Sequence, residues 1–120
     1  MVLGDLACYL SEQGRVDEAL PIAAEAMGLR ALDGTLGMML DQLARLACAR
    51  GRYSEAAMAL GRAAVHHLQR KGLRERYLQG PHQRATAAAA AAMSPAEAQE
   101  LYTLGAAMGD DEVARLTLRD

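Results

Sequence analysis

The sequence predicts an all-α protein in which two helical hairpins stack and a group of C-terminal helices caps them. The main observation is a segment that occurs twice, 37 residues apart. Its positions are Leu6-Ala7, Gly14-Arg15, Glu18-Ala19 and Ala26, which recur as Leu43-Ala44, Gly51-Arg52, Glu55-Ala56 and Ala63. A repeat of this length with glycine at its centre is typical of stacked helical hairpins. The composition agrees, because the chain is 52% hydrophobic without Phe or Trp, and its Ala, Leu and Met favour helices.

The first hairpin is predicted over residues 1–34. The apolar face of its first helix is formed by Leu3, Leu6, Ala7 and Leu10. Gly14 ends this helix, and a return helix follows over residues 16–27 with acidic side chains in its first turn, where they complement the helix dipole. Residues 28–34 then predict a connector, with Gly28 as the C-terminal cap of the return helix.

The second hairpin is predicted over residues 35–72. Its first helix spans residues 35–50 and is capped by Thr35, and its second helix spans residues 53–71 and is ended by Gly72. By comparison of the two copies, we expect Gly14 and Gly51 to be the hinges of the hairpins. We expect Ala19 and Ala56 to lie buried where the two helices of each hairpin cross, because a large side chain there would force the helices apart.

Residues 73–120 predict the C-terminal cap. One or two helical turns are expected over residues 73–79, interrupted by Gly80-Pro81, and the next helix is expected over residues 81–92 with Pro81 at its first position. The Ser94-Pro95-Ala96-Glu97 segment is a capping box that predicts a helix to about Met108. A last short helix is expected from a cap at Asp110 to about Leu118, and no segment predicts a strand.

Both copies of the repeated segment resemble the tetratricopeptide repeat (TPR). The matching positions of the first copy are Leu3, Leu6, Ala7, Leu10, Gly14, Val16, Asp17, Glu18 and Ala19. Those of the second copy are Leu40, Leu43, Ala44, Ala47, Gly51, Tyr53, Ser54, Glu55 and Ala56. The resemblance covers roughly residues 3–70, and it implies a right-handed superhelical stack that binds a protein or peptide partner.

The C-terminal residues carry a second resemblance, to the end of large bacterial regulators of the LuxR-type and adenylate-cyclase-like classes. The positions that carry it are Leu101, Leu104, Gly105, Met108, Glu112, Val113, Leu116 and Leu118. In those regulators an ATP-binding switch domain accompanies a TPR array. The resemblance implies that this chain is part of, or derived from, a bacterial signalling or transcription regulator.

The TPR resemblance also implies a partner-binding groove, lined by the first helix of each hairpin. The groove positions are Cys8, Ser11 and Glu12 in the first copy and Asp41, Arg45 and Cys48 in the second. Two alternatives remain open for these residues. Asp41 and Arg45 lie four apart on one helix and can pair with each other, and the six side chains can simply solvate one face.

No catalytic, cofactor or metal site is expected from the sequence. The glycines do not form a phosphate-binding loop, and no nucleophile is flanked by a base and an orienting group. His66 and His67 are adjacent, so they point in different directions on a helix and cannot share a metal. The cysteines Cys8 and Cys48 have no metal-binding spacing and fit a reducing compartment.

No apolar run is long enough for a membrane span, and we expect a cytoplasmic protein.

Two other interaction functions are alternatives to partner binding in the groove. The first is a homodimer formed through the N-terminal hairpin, whose leucines have no preceding repeat to cover them. The second is a nucleic-acid contact through the basic residues of segment 70–84. A net charge of −2 disfavours that contact, and Glu75 divides the basic cluster, so its cations are expected to solvate a helix end.

Overall fold

The computed structural model of the chain describes residues 2–33, 36–69 and 76–119, and the side chains of residues 6, 7, 9–32, 36, 37, 39–66 and 82–119. Over these ranges the chain forms helices and no strands. The α-helices are α1 Val2–Glu12, α2 Val16–Asp33, α3 Leu40–Ala49, α4 Tyr53–Gln69, α5 Arg76–Ala92, α6 Pro95–Ala106 and α7 Asp110–Leu118. A 3₁₀ turn, Leu36–Met39, precedes α3. The all-α, TPR-like prediction is confirmed.

The hinges of the two hairpins have the same backbone geometry. Gly14 has a φ of 77° and Gly51 a φ of 73°, values that L side chains rarely adopt. At the first hinge the Arg15 N–H donates to the carbonyl of Leu10 at 2.9 Å, and the Gly14 N–H to that of Ser11 at 3.1 Å. This is a Schellman motif, which satisfies carbonyls that a helix end would otherwise leave unpaired.

The second hinge repeats this motif with Arg52 donating to Ala47 at 2.8 Å and Gly51 donating to Cys48 at 3.0 Å. Ala19 and Ala56, at the predicted crossings, are fully buried. The predictions for the hinge glycines and the crossing alanines are therefore confirmed.

Three predicted boundaries in the first half of the chain are wrong or lie outside the described residues. The helix α2 continues through Gly28 to Asp33, so Gly28 is not a cap and residues 28–33 are not a connector. One exposed glycine costs a helix only about 1 kcal/mol, and the Leu, Arg and Ala residues that follow it favour helix. The residues before α3 form a 3₁₀ turn instead of α-helix. The cap predicted at Thr35 lies outside the described residues.

The break predicted at Gly80-Pro81 is also wrong, because α5 runs without interruption from Arg76 to Ala92. Pro81 is therefore inside the helix and not at its first position. A proline in the second turn removes one backbone hydrogen bond. The alanine run that follows has the highest helix propensity of any residue type and offsets that loss over several positions.

The capping box before α6 is confirmed. The Ser94 hydroxyl accepts from the Glu97 N–H at 3.2 Å, and the Ser94 N–H donates to Glu97 Oε1 at 3.5 Å. The helix ends at Ala106, two residues earlier than expected. The N-cap of α7 is Gly109 instead of the expected Asp110.

The helix α3 lies at the centre of the molecule and contacts α1, α4, α5 and α7. Its Leu40, Leu43 and Leu46 are among the largest fully buried side chains, together with Met39. The helix α7 contacts α2 as well as α3 and α4, so it joins the two hairpins. The guanidinium of Arg50 fixes the end of α7 by donating to the carbonyls of Thr117 at 2.9 Å and Arg119 at 2.8 Å.

The helices α4 and α6 approach each other more closely than side chains would allow. A Cβ atom added to Gly61 of α4 would overlap the carbonyl oxygen of Tyr102, and one added to Gly105 of α6 would overlap the backbone of Met58. The two glycines therefore let the helix backbones touch, and α6 is held against the side of α4.

Candidate partner-binding groove

The six predicted groove positions lie on α1 and α3, and the structure describes five of their side chains. On α3, Asp41 and Cys48 are buried and Arg45 is half-buried. On α1, Ser11 is buried and Glu12 is exposed. The side chain of Cys8 lies outside the described residues. Helical spacing explains the arrangement on α3, because residues 41, 45 and 48 follow one face of a helix.

Three of these side chains contact α5, the helix that follows the second hairpin. Asp41 Oδ1 lies 2.9 Å from Nδ1 of His82, and the Asp41 side chain is completely buried. Cys48 Sγ lies 3.7 Å from the carbonyl oxygen of Ala85, to which its thiol donates. Glu12 forms an ion pair with Arg84. The structure thus brings Glu12, Asp41 and Cys48 together around one helix.

The other two described positions do not contact α5. The Ser11 hydroxyl donates to the carbonyl of Ala7 at 2.8 Å, within its own helix. Arg45 has a buried Nε atom without a hydrogen-bond partner among the described residues. Arg45 also lies close enough to Cys48 to influence its thiol.

Burial raises the pKa of the Cys48 thiol above its ordinary value near 9.0, while the nearby charge of Arg45 opposes that rise. The thiol is therefore protonated at neutral pH. Since the thiolate is the nucleophile and the metal ligand, this cysteine acts as a small buried side chain with a weak hydrogen-bond donor.

A cleft of about 310 Å³ separates α5 from α6. Its floor is formed by Ala57 and Leu60 of α4. His82 and Thr86 line it on the α5 side, and Tyr102 lines it on the α6 side. The cleft means that α5 rests on α3 and α4 without being enclosed by α6.

The basic segment 70–84 is described only in part. His82 and Arg84 are the members of the predicted cluster whose side chains are described, and each faces a carboxylate. The remaining members, Arg70, Lys71, Arg74 and Arg76, have side chains that lie outside the described residues. In the described part, both basic side chains of this segment contact acidic residues of the groove.

Among the described residues no group of three or more His, Cys, Asp or Glu side chains has the arrangement of a metal site. None of the described helices is long and apolar enough to cross a membrane.

Sequence reasoning did not find His82, Arg84 and Ala85 as groove contacts. The charges gave a partial signal, because Glu12 and Asp41 are acidic and the segment that meets them is basic. However, His82 lies 41 residues from Asp41. In addition, the helix break expected at Gly80-Pro81 made the predicted helix shorter than α5 is. Without the path of the chain, nothing in the sequence joins these side chains.

Comparison with known proteins supports a TPR domain. Residues 1–31, which include α1 and most of α2, match the family model described as tetratricopeptide repeat. TPR units generally mediate protein–protein interaction. No curated protein and no solved structure matched the chain.

Proposed function

We propose that this chain is a non-catalytic protein-interaction module whose groove, formed by α1 and α3, binds a protein or peptide partner. The observation that carries the proposal is that Glu12 of α1 and Asp41 of α3 both contact basic side chains of one further helix, α5. The groove residues of the proposal are Cys8, Ser11, Glu12, Asp41, Arg45 and Cys48.

The charge pattern of the groove favours a cationic partner. Glu12 carries its carboxylate at an accessible edge, with 30% of the side chain exposed, so an incoming basic residue reaches it without burying an unpaired charge. Asp41 is buried, and its Oδ1 lies 2.9 Å from Nδ1 of His82, so a partner that replaced His82 would bring a hydrogen-bond donor to the same oxygen. Complementary charges of this kind select a partner more than they strengthen its binding.

The parent protein that we propose is a bacterial signalling or transcription regulator in the cytoplasm. The support is the resemblance of residues 101–118 to the end of such regulators, together with the match of residues 1–31 to the TPR model. In that setting the module supplies contacts, and the chemistry belongs to other domains.

A capture experiment with two matched variants tests the groove. The purified chain, a Glu12→Lys variant and a Glu25→Lys variant are each immobilised and exposed to lysate of the source organism. Glu25 is an exposed glutamate on α2, so its variant carries the same charge change away from the groove. We expect Glu12→Lys to lose a protein that the parent and Glu25→Lys both retain. Equal capture by all three would contradict the proposed groove.

A homodimer through the N-terminal hairpin is the second candidate. The supporting observation is a set of exposed apolar side chains on α1 and α2, namely Leu6, Tyr9, Leu29 and Leu32. Leu10 is buried in the chain's own core and does not take part. Sedimentation at micromolar concentration tests this candidate. A dimer that Leu6→Glu dissociates would support it, and a monomer of 12.8 kDa would reject it.

A further inference from the structure

The helix α5 packs on α3 and α4, and it reaches the first hairpin through one side chain. A helix that only continued the stack of hairpins would contact α3 and α4, and α5 does contact both. In addition, Arg84 of α5 reaches α1 through its ion pair with Glu12. Because Glu12 of one hairpin and Asp41 of the other both contact α5, this helix covers part of the predicted groove.

Over residues 82–92, the face that α5 presents to the groove consists of small and basic side chains. Ala85 and Ala89 are buried and Ala88 is half-buried against the same core. His82 and Arg84 add the two contacts to carboxylates. The described face of α5 therefore carries two basic residues and a set of alanines at helical spacing.

The contacts of α5 over residues 82–92 bury little apolar surface. Over residues 82–92 the buried side chains are alanines, which remove little apolar surface from water. The cleft of about 310 Å³ between α5 and α6 leaves one side of the helix uncovered. Elements with few buried apolar contacts open locally more readily than the core does.

On the basis of the proposed function, we infer that α5 is the internal ligand of the groove and that the partner is a helix with the same pattern of basic and small residues. Such a partner competes with α5 for Glu12 and Asp41. A tethered ligand has a millimolar effective concentration when its linker is short, so the partner binds only when it outcompetes α5 or when α5 is weakened.

The alkylation rate of Cys48 measures this competition, because the Cys48 thiol contacts the carbonyl oxygen of Ala85 in α5. The test uses the full chain with Cys8→Ser, so that iodoacetamide modifies only Cys48. We expect Arg84→Glu, which places two carboxylates opposite each other, to raise the rate of Cys48 alkylation about fivefold, since an ion pair of this exposure contributes up to about 1 kcal/mol. Arg115→Glu, an exposed arginine on α7, is the matched control and should leave the rate unchanged.

The probe for the second step is a fluorescein-labelled peptide of residues 76–92. We expect it to bind the Arg84→Glu chain and to return Cys48 alkylation to the parent rate. In a Glu12→Lys chain the preference between the two peptides should reverse. The Arg84→Glu peptide should then protect Cys48 from alkylation better than the peptide of natural sequence does. Far-UV circular dichroism and thermal melting verify that each variant is folded before its rate is compared.

Two results would overturn the inference. One is an Arg84→Glu chain whose Cys48 is alkylated no faster than in the parent. The other is a peptide that leaves the faster rate unchanged. A chain that captures its partner through Glu12 but does not bind the peptide would retain the proposed function and lose this inference, whereas loss of both would remove the groove as a binding site.

Discussion

Gly14 and Gly51 occupy backbone positions where a side chain is disfavoured, and each ends a helix with the same pair of hydrogen bonds. Gly28 differs from them in backbone conformation, because it lies inside the right-handed helix α2. It is exposed, and a Cβ added there would meet no other part of the chain within 4 Å. The same substitution therefore has opposite consequences at these positions.

We expect Gly14→Ala and Gly51→Ala each to lower the free energy of unfolding by about 1 kcal/mol, because a left-handed backbone is strained for alanine. Gly28→Ala should raise it by about 0.5–1 kcal/mol through better helix propensity. Urea denaturation of the three variants measures these changes. A loss of stability in Gly28→Ala would contradict the continuous helix through that position.

The burial of Cys48 predicts a dependence of stability on alkaline pH. Its pKa is raised in the folded chain above the ordinary value near 9.0, so above pH 9 the unfolded chain binds fewer protons than the folded one. Stability from this group is complete up to about pH 8, one unit below the ordinary pKa, and declines as the pH rises further, by at most about 1.4 kcal/mol per pH unit.

The measurement compares the parent with Cys48→Ala in urea from pH 7 to pH 10. The difference between the two free energies of unfolding should be constant up to about pH 8 and should then shift in favour of Cys48→Ala. A constant difference across the whole range would mean that the thiol ionises equally well in both states.

Among the helices, the close contact of α4 with α6 depends most on single residues. Gly61 and Gly105 face backbone atoms of the opposite helix, so an added methyl group cannot be accommodated by a rotamer change. Overpacking costs about 1–3 kcal/mol, and the upper part of that range applies here because the overlap is with backbone atoms. That cost of about 2–3 kcal/mol exceeds the gain of about 1 kcal/mol in helix propensity.

We therefore expect Gly61→Ala and Gly105→Ala each to destabilise the chain by about 1–2 kcal/mol net. Thermal unfolding followed by circular dichroism measures the effect, with Gly28→Ala as the control for glycine replacement in an exposed helix. If either variant were as stable as the parent, α4 and α6 would not approach as closely as the structure shows.

Sequence reasoning succeeded for elements whose signals are local. The hinge at Gly14 and the capping box at Ser94 depend on residues within one or two turns, so their patterns are visible in the sequence. It failed at Gly28 and at Gly80-Pro81, where a local helix breaker was outweighed by favourable residues on both sides. The close approach of Gly61 to α6 was not predicted, because it depends on residues more than 40 positions apart.

At the scale of the whole molecule, α3 and α7 hold the two hairpins together. Val113 and Thr117 of α7 are completely buried, and this helix contacts α2, α3 and α4. The two TPR-like units therefore share one core. This sharing could not be read from the repeat, because the last helix has no counterpart in either copy.

We expect the chain to unfold in a single transition, and Val113→Ala to lower its stability by about 2 kcal/mol through the cavity it leaves. Leu116→Ala, at a half-buried position of the same helix, should cost less. Differential scanning calorimetry tests both points. A separate transition for the first hairpin in the parent chain would show that α7 does not couple the two units.

The position of α7 in the chain also affects folding during synthesis. The ribosome completes residues 2–106 before Val113 and Thr117 emerge, so the hairpins begin to form while the site for α7 is still open to solvent. During that interval the nascent chain exposes apolar surface that the finished protein buries. A pause in translation before residue 110 would prolong this exposure and favour capture by chaperones.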